Sequence, residues 1–388
     1  MARLYLDTDP NLLAWAVERS QREESDFRNR FGENFDAWLS GEKQLTYRQG
    51  QEFAKFARLP FHYLFLDAIP QETLPIQDFR MLPENERAKN TLHPDLLDTL
   101  WEVEYKQAWL SEYFQEIGAE KLAFVGSITR TATPESLAEA IRKTLQLQPD
   151  FARQFKDARE AFQALRQAAE NLRITVLKNG TVNNNPHRRL QVKMFRGFAI
   201  ADAYAPFVFV NARDAHTAQL FTLAHELGHI FLGESGISNP QDTPQSTFEV
   251  ERLCNAAAAE LLLPKQLLSE AKQPPEKILK QRVNELAREW NLSRIVILRR
   301  LYETGHINKL AYQKLAAQLK QQEKERQKQP SQSGGHYGNT MHSRLGTLLP
   351  QVVYSAVNNG HLLYRDAYRL LGMKESGFHN FFSSASYG

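Results

Sequence analysis

Residues 217–233 read TAQLFTLAHELGHIFLG. His225 and His229 stand four residues apart, which on a helix puts them on one face, one turn apart. Two imidazoles at that spacing can bind one metal ion. Glu226 lies about 100° round the helix from His225 and can still reach a water held on the metal. This is the geometry of the His-Glu-x-x-His pattern of zinc proteases. The bland alternative is a surface helix with two solvated histidines. The flanks LFTLA and IFLG are apolar, so the helix is predicted to be buried, and buried histidines need polar partners.

A catalytic zinc usually takes three protein ligands and a water. No third histidine follows at close spacing. The next predicted helix, FEVERLCNAAAAELLLP, supplies Glu249, Glu251 and Glu260. Glu251, Cys254, Asn255 and Ala258 recur at i, i+3, i+4 and i+7 and share one face. Small residues there permit close approach to the metal helix, and Glu249 and Glu260 project to the other side. Glu251 is therefore the expected third ligand. The chemistry expected is hydrolysis of an amide, with Glu226 as the base that takes the proton of a water activated by one zinc per chain.

Upstream, RITVLKNG, QVKMFRGFAIAD and APFVFVNA are rich in β-branched and aromatic residues and bounded by Gly, Asn and Pro. They predict strands of a small sheet. APFVFVNA, just before the metal helix, is either an ordinary buried strand or a sheet edge able to take an extended substrate by strand addition. Before them, three helices are predicted: HPDLLDTLWEVEYKQAWLSEYFQEIG, PESLAEAIRKTLQL and ARQFKDAREAFQALRQAAENL. Residues 1–67 predict five short helices in a compact module, with Thr46 and Pro60 opening helices and Gly32 and Gly41 ending them. Residues 68–90 are proline-rich and polar and read as an extended linker. The metallopeptidase domain is expected over 91–319. Residues 320–338, polar and ending in Gly-Gly, read as a flexible linker, and 339–388 as a small helical tail. The fold class expected is α+β, mostly helical.

The 388 residues carry a net charge of only +3. That does not by itself argue for nucleic acid or a membrane surface. Cys254 is the single cysteine, so an internal disulfide and a Cys-based zinc site are excluded, and a reducing compartment fits. Asp7 and Asp9 interrupt the first apolar stretch, so no signal peptide is read. No run is long enough to span a bilayer. A cytoplasmic protein without a membrane role is expected. The cationic pattern VNELAREWNLSRIVILRRLYETGHI at 283–307 is either a winged-helix-like element or, more simply, packing of the core.

FRGFAIADAYAPFVFVNARDAHTAQLFTLAHELGHIFLGESGI, followed by ERLCNAAAAELLLP, resembles the ImmA/IrrE family of bacterial metallopeptidases. The helical N-terminus and IQDFR are similar to members that begin with an Xre-type helix-turn-helix domain. The resemblance implies a zincin-like domain with zinc on His225, His229 and Glu251 and with Glu226 as general base. Glu251 stands four residues before the asparagine of the pattern, here Asn255, and Cys254 replaces the usual alanine. It implies a protein substrate, a helix-turn-helix repressor or an antitoxin, in a stress, mobile-element or toxin–antitoxin programme. A toxin-like partner and pairing into a homodimer also belong to that expectation.

The Xre-like reading assigns Glu24–Gly32 as a first helix and Asn34–Glu42 as a recognition helix, with Arg28, Arg30, Asn34, Lys43 and Arg48 as candidate DNA contacts. Against it, residues 1–67 hold nine Lys or Arg and eleven Asp or Glu, a net charge of −2, whereas DNA readers carry a basic footprint. Docking another protein is the alternative role for this module. For the whole chain the competing function is a DNA-binding regulator or antitoxin whose metal site is structural.

Overall fold

The computed structural model describes residues 4–78, 93–238, 249–269, 278–326 and 337–384. The chain divides into two compact units. One comprises 1–75 and 82–101, the other 76–81 and 102–388. Among the described residues no helix is long and apolar enough to cross a membrane.

The first unit opens with helices α1 (Pro10–Arg19), α2 (Glu24–Phe31), α3 (Glu33–Leu39) and α4 (Tyr47–Phe56), then a 3-10 turn at Phe61–Phe65. Asp9 caps α1 through the Asn11 amide, and Thr46 with Gln49 forms a reciprocal capping box on α4. Phe27, Phe35, Trp38 and Phe53 make an aromatic core. Gly32 alone joins α2 to α3, whereas a helix-turn-helix uses three or four turn residues. The predicted linker begins inside this unit: the buried Arg19 guanidinium grips Glu72 at 2.7 Å and the Arg58 carbonyl at 2.8 Å. Residues 79–90 of that stretch lie outside the described residues.

Helix α5 (Pro94–Glu116) carries the division between the two compact units, between Trp101 and Glu102. In the second unit, α6 (Pro134–Thr144) and α7 (Ala158–Glu170) precede the sheet. The Asp157 carboxylate caps α7 by accepting from the Arg159 and Glu160 amides, so α7 starts there and not at 152. The strands are β1 (Gln77–Asp78), β2 (Thr175–Asn179), β3 (Gly197–Ile200), β4 (Phe207–Asn211) and β5 (Gly236–Ser238), in the order β1-β5-β3-β4-β2. β2 runs parallel to β4, β3 antiparallel to both β4 and β5, and β1 parallel to β5. Two strands were not legible. β1 lies in the predicted linker and β5 in the stretch between TAQLFTLAHELGHIFLG and FEVERLCNAAAAELLLP; both are too short to show a period. β4 is an interior, fully buried strand, so of the two alternatives for APFVFVNA the ordinary buried strand holds and the substrate-binding edge does not. Its partner β2 crosses over to cover its outer side.

Helix α8 (His216–Leu232) lies across β3 and β4, and α9 (Glu249–Leu262) packs along α8. A short α10 (Lys265–Ser269) leads to α11 (Leu279–Glu289), α12 (Arg294–Glu303) and α13 (Lys309–Arg326). Ile295, Val296, Ile297, Leu298 and Arg300 of α12 are buried, and Arg300 binds Glu260 and the Leu263 carbonyl. Core packing therefore accounts for the 283–307 pattern. α13 runs through Arg326, into the stretch read as a linker; 327–336 lie outside the described residues.

The tail forms α14 (Tyr337–Leu345), α15 (Leu348–Asn358), α16 (Tyr364–Leu371) and α17 (Glu375–Ser384). It belongs to the second compact unit, with α14 packed on β2. Phe381 and Phe382 pack on His342 and Tyr354 within the tail itself. The join is a buried ion pair. Arg166 binds Glu170 at 3.1 Å and donates to the carbonyls of Val176 and Ser343. Glu170 accepts from the Thr347 amide at 2.9 Å and hydroxyl at 2.6 Å.

Removing one partner of a buried pair strands the other. Arg166→Met is expected to lower stability by about 3–5 kcal/mol, read as a lower urea midpoint. A second expectation concerns Lys178 on β2, whose ammonium lies 4.7 Å from the Phe162 ring centre. Burial, then Arg166 and Arg159, lowers its pKa from 10.5 to about 8. The unfolded chain thus binds more protons between those values, so stability rises from about pH 8 to pH 10.5. Lys178→Met should remove that rise in pH-dependent unfolding curves.

Candidate metal centre

The turn into α8 is tied down from both sides. The Gln219 amide donates to the carbonyls of Ala212 at 3.1 Å and Asp214 at 2.7 Å. Asn211, the last residue of β4, donates to the Phe195 carbonyl and accepts from the Arg213 amide. At the other end Gly233 takes the left-handed conformation, φ 70°, and a Cβ there would stand 3.0 Å from the Gly126 Cα. Only glycine satisfies both demands cheaply.

Between these ends, His225, Glu226 and His229 are fully buried. The two Nε2 atoms are 3.1 Å apart. Glu251, on α9, brings Oε1 to 2.9 Å from His229 Nε2 and Oε2 to 3.5 Å from His225 Nε2. The predicted face of α9 is the one turned to α8: a Cβ on Gly228 would lie 3.1 Å from Cys254 Sγ. Glu249 is exposed and Glu260 is paired with Arg300. Of the three glutamates, Glu251 is the one beside the imidazoles.

Three donors about 3 Å apart fit one small cation. Ligands at the usual zinc distances of about 2.0–2.2 Å, arranged tetrahedrally, stand about 3.3 Å from each other. Glu226 also brings a ligand-type atom into this group, within 4.8 Å of those of His225 and His229. Its Oε1, however, accepts the Ser238 hydroxyl of β5. Among the described residues, His225 Nδ1, Glu226 Oε2 and Asn255 Oδ1 are buried without a hydrogen-bond partner. Such atoms are costly in a dry core, and a water held on a cation between the two Nε2 atoms would give Glu226 Oε2 its partner.

The carboxylates differ. Burial is the largest influence on both. In Glu226 it prevails over His229 and Ser238 and pushes the pKa up to about 8. In Glu251 it is outweighed by the charge and hydrogen bonds of His225 and His229, which bring the group down to about 2. Glu251 thus favours its ionised form, whereas burial makes Glu226 favour its protonated form near neutral pH. Burial pushes the Cys254 thiol well above its usual range, as befits an inert core residue.

Residues 169–302 match the IrrE N-terminal-like domain, peptidase family M78. This supports the ImmA/IrrE family, and with it a metallopeptidase class, for the segment that runs from the end of α7 through α12. Residues 345–384 match a domain of unknown function, DUF8813. No curated protein and no solved structure matches the chain.

The candidate DNA contacts lie elsewhere, in the first unit. Arg28 is held by Glu24 at 2.8 Å and Asp36 at 3.1 Å, and Arg48 stands 3.3 Å from Glu52. Arg30, Asn34 and Lys43 are exposed. The sequence reading missed Ser238 and Gly197. A Cβ on Gly197 would lie 2.6 Å from Thr222 Cγ2, 2.8 Å from Glu226 Oε1 and 2.9 Å from the Phe209 carbonyl. The IrrE-like helix can seat its glutamate here only because β3 presents a glycine. Gly197→Ala is expected to cost about 1–3 kcal/mol by overpacking, measured as a fall in the urea midpoint.

Proposed function

We propose that this chain is a zinc metalloendopeptidase that cleaves one specific intracellular protein, a helix-turn-helix repressor or an antitoxin. The observation that carries the peptidase reading is the convergence of His225 Nε2, His229 Nε2 and the Glu251 carboxylate, with Glu226 alongside. The substrate class rests on the resemblance of the sequence to the ImmA/IrrE family and on the helical module in front of the IrrE-like segment.

His225, His229 and Glu251 would hold the zinc. When bound, the ion supplies Lewis acidity toward the scissile carbonyl and a water acidified toward neutrality. Glu226 takes the proton of the attacking water and returns it to the leaving nitrogen. Its burial raises its proton affinity, and a nearby cation would draw it back down. A base balanced this way near neutral pH both accepts and releases a proton. The Ser238 hydroxyl holds one oxygen of Glu226 and leaves the other for the water.

The test combines elemental analysis with a cleavage assay against proteins whose genes neighbour this one. About one zinc per chain is expected in the wild type and near none in His229→Ala or Glu251→Ala. Glu226→Gln is expected to keep the metal and lose cleavage by at least about a hundredfold. Zinc retained in Glu251→Ala would refute the third ligand. A fully metallated wild type that leaves every candidate partner intact counts against the substrate class.

A further inference from the structure

The starts of α7, α8 and α12 and one side of α11 enclose a cleft of about 650 Å³. Lys156, Arg159, Arg288 and Arg294 line it. Among the described residues, none of the four has a carboxylate within salt-bridge distance; Arg294 donates to the neutral Gln322 amide at 3.2 Å. The one acid in the lining, Asp157, spends its carboxylate capping α7, and those amide bonds lower its pKa. Four cations therefore face one engaged anion across a concave surface. Several arginines elsewhere on this unit are matched by carboxylates: Arg130 with Glu234, Arg153 with Glu289, Arg299 with Glu303. Uncompensated charge concentrated in a cavity is what sets this place apart.

We propose that this cleft binds a small phosphate-bearing molecule. Its volume falls in the range of small-ligand sites, about 300–1,000 Å³. Guanidinium groups give phosphate oxygens paired, charge-assisted hydrogen bonds. Thr217 and Asn284 add neutral polar groups to the wall. His216 also lines the cleft, and burial followed by the charge of Arg159 lowers its pKa. A duplex would need a basic face reaching past the mouth. The exposed residues next in sequence, Glu160 and Glu285, are acidic. His216 lies nine residues before His225, about 13 Å along the helix axis, so the cleft is separate from the metal centre and does not depend on its reading.

The experiment is calorimetric titration of the full chain with inorganic pyrophosphate at fixed ionic strength. It is carried out in the His229→Ala background, so that chelation at the metal centre contributes nothing. Saturable binding of one equivalent is expected. Arg159→Ala and Arg288→Ala should each weaken it by about tenfold or more, and Arg299→Ala, outside the cleft, should leave it unchanged. Both arginines are exposed, so neither variant threatens the fold. No binding, or binding indifferent to both cleft variants, overturns the proposal. Displacement of pyrophosphate by a short DNA duplex, with affinity falling steeply as salt rises, also overturns it and reassigns the cleft to nucleic acid.

Discussion

Three potential charges, His225, His229 and Glu251, are pressed together where all three side chains are buried. Two imidazoles and a carboxylate within about 3 Å repay their desolvation only if they satisfy one another or share an ion. Almost everything nearby makes this crowding possible. α8 must approach β3 closely, and Gly197 removes the Cβ that would prevent it. α9 must approach α8 closely, and Gly228 against Cys254 lets it. Gly233 then turns the chain sharply enough for β5 to return along β3 and set Ser238 against Glu226.

The same crowding divides the labour between the two carboxylates. Glu251 faces two imidazoles and stays ionised, whereas Glu226 faces a hydroxyl and an apolar surround and holds its proton more tightly. Both are glutamates on buried helices, so residue type does not distinguish them. Their neighbours do, and those neighbours come from different parts of the chain. The two carboxylates of this centre are therefore not interchangeable.

Support extends outward from the centre in layers. β2 shields β4 on one side, and α14 packs on β2 in turn. The Arg166–Glu170 pair fixes the tail to that layer through backbone carbonyls and Thr347. A tail held by buried, charge-assisted bonds is part of the folded unit rather than an appendage. The first unit has its own aromatic core and its own clamp, Arg19 on Glu72. Its basic side chains are partly spent on neighbouring acids, as the acid excess of that segment suggests.

The sequence by itself determined the periodic elements and the chemistry they carry. The four-residue spacing of His225 and His229, the i, i+3, i+4, i+7 face of Glu251, and three strands with β-branched runs are local patterns. They survive because helix and strand periods are fixed by backbone geometry. The convergence of these side chains was legible as an expectation and is what the folded chain presents. Tertiary structure alone decided the rest. β1 and β5 are two and three residues long and exist only through their neighbours' hydrogen bonds. The interior place of β4 depends on a crossover, and strand order leaves no trace in a strand's own period. Ser238 beside Glu226 and the four cations around one cleft are meetings of distant segments. No spacing encodes them, because they are set by which surfaces pack.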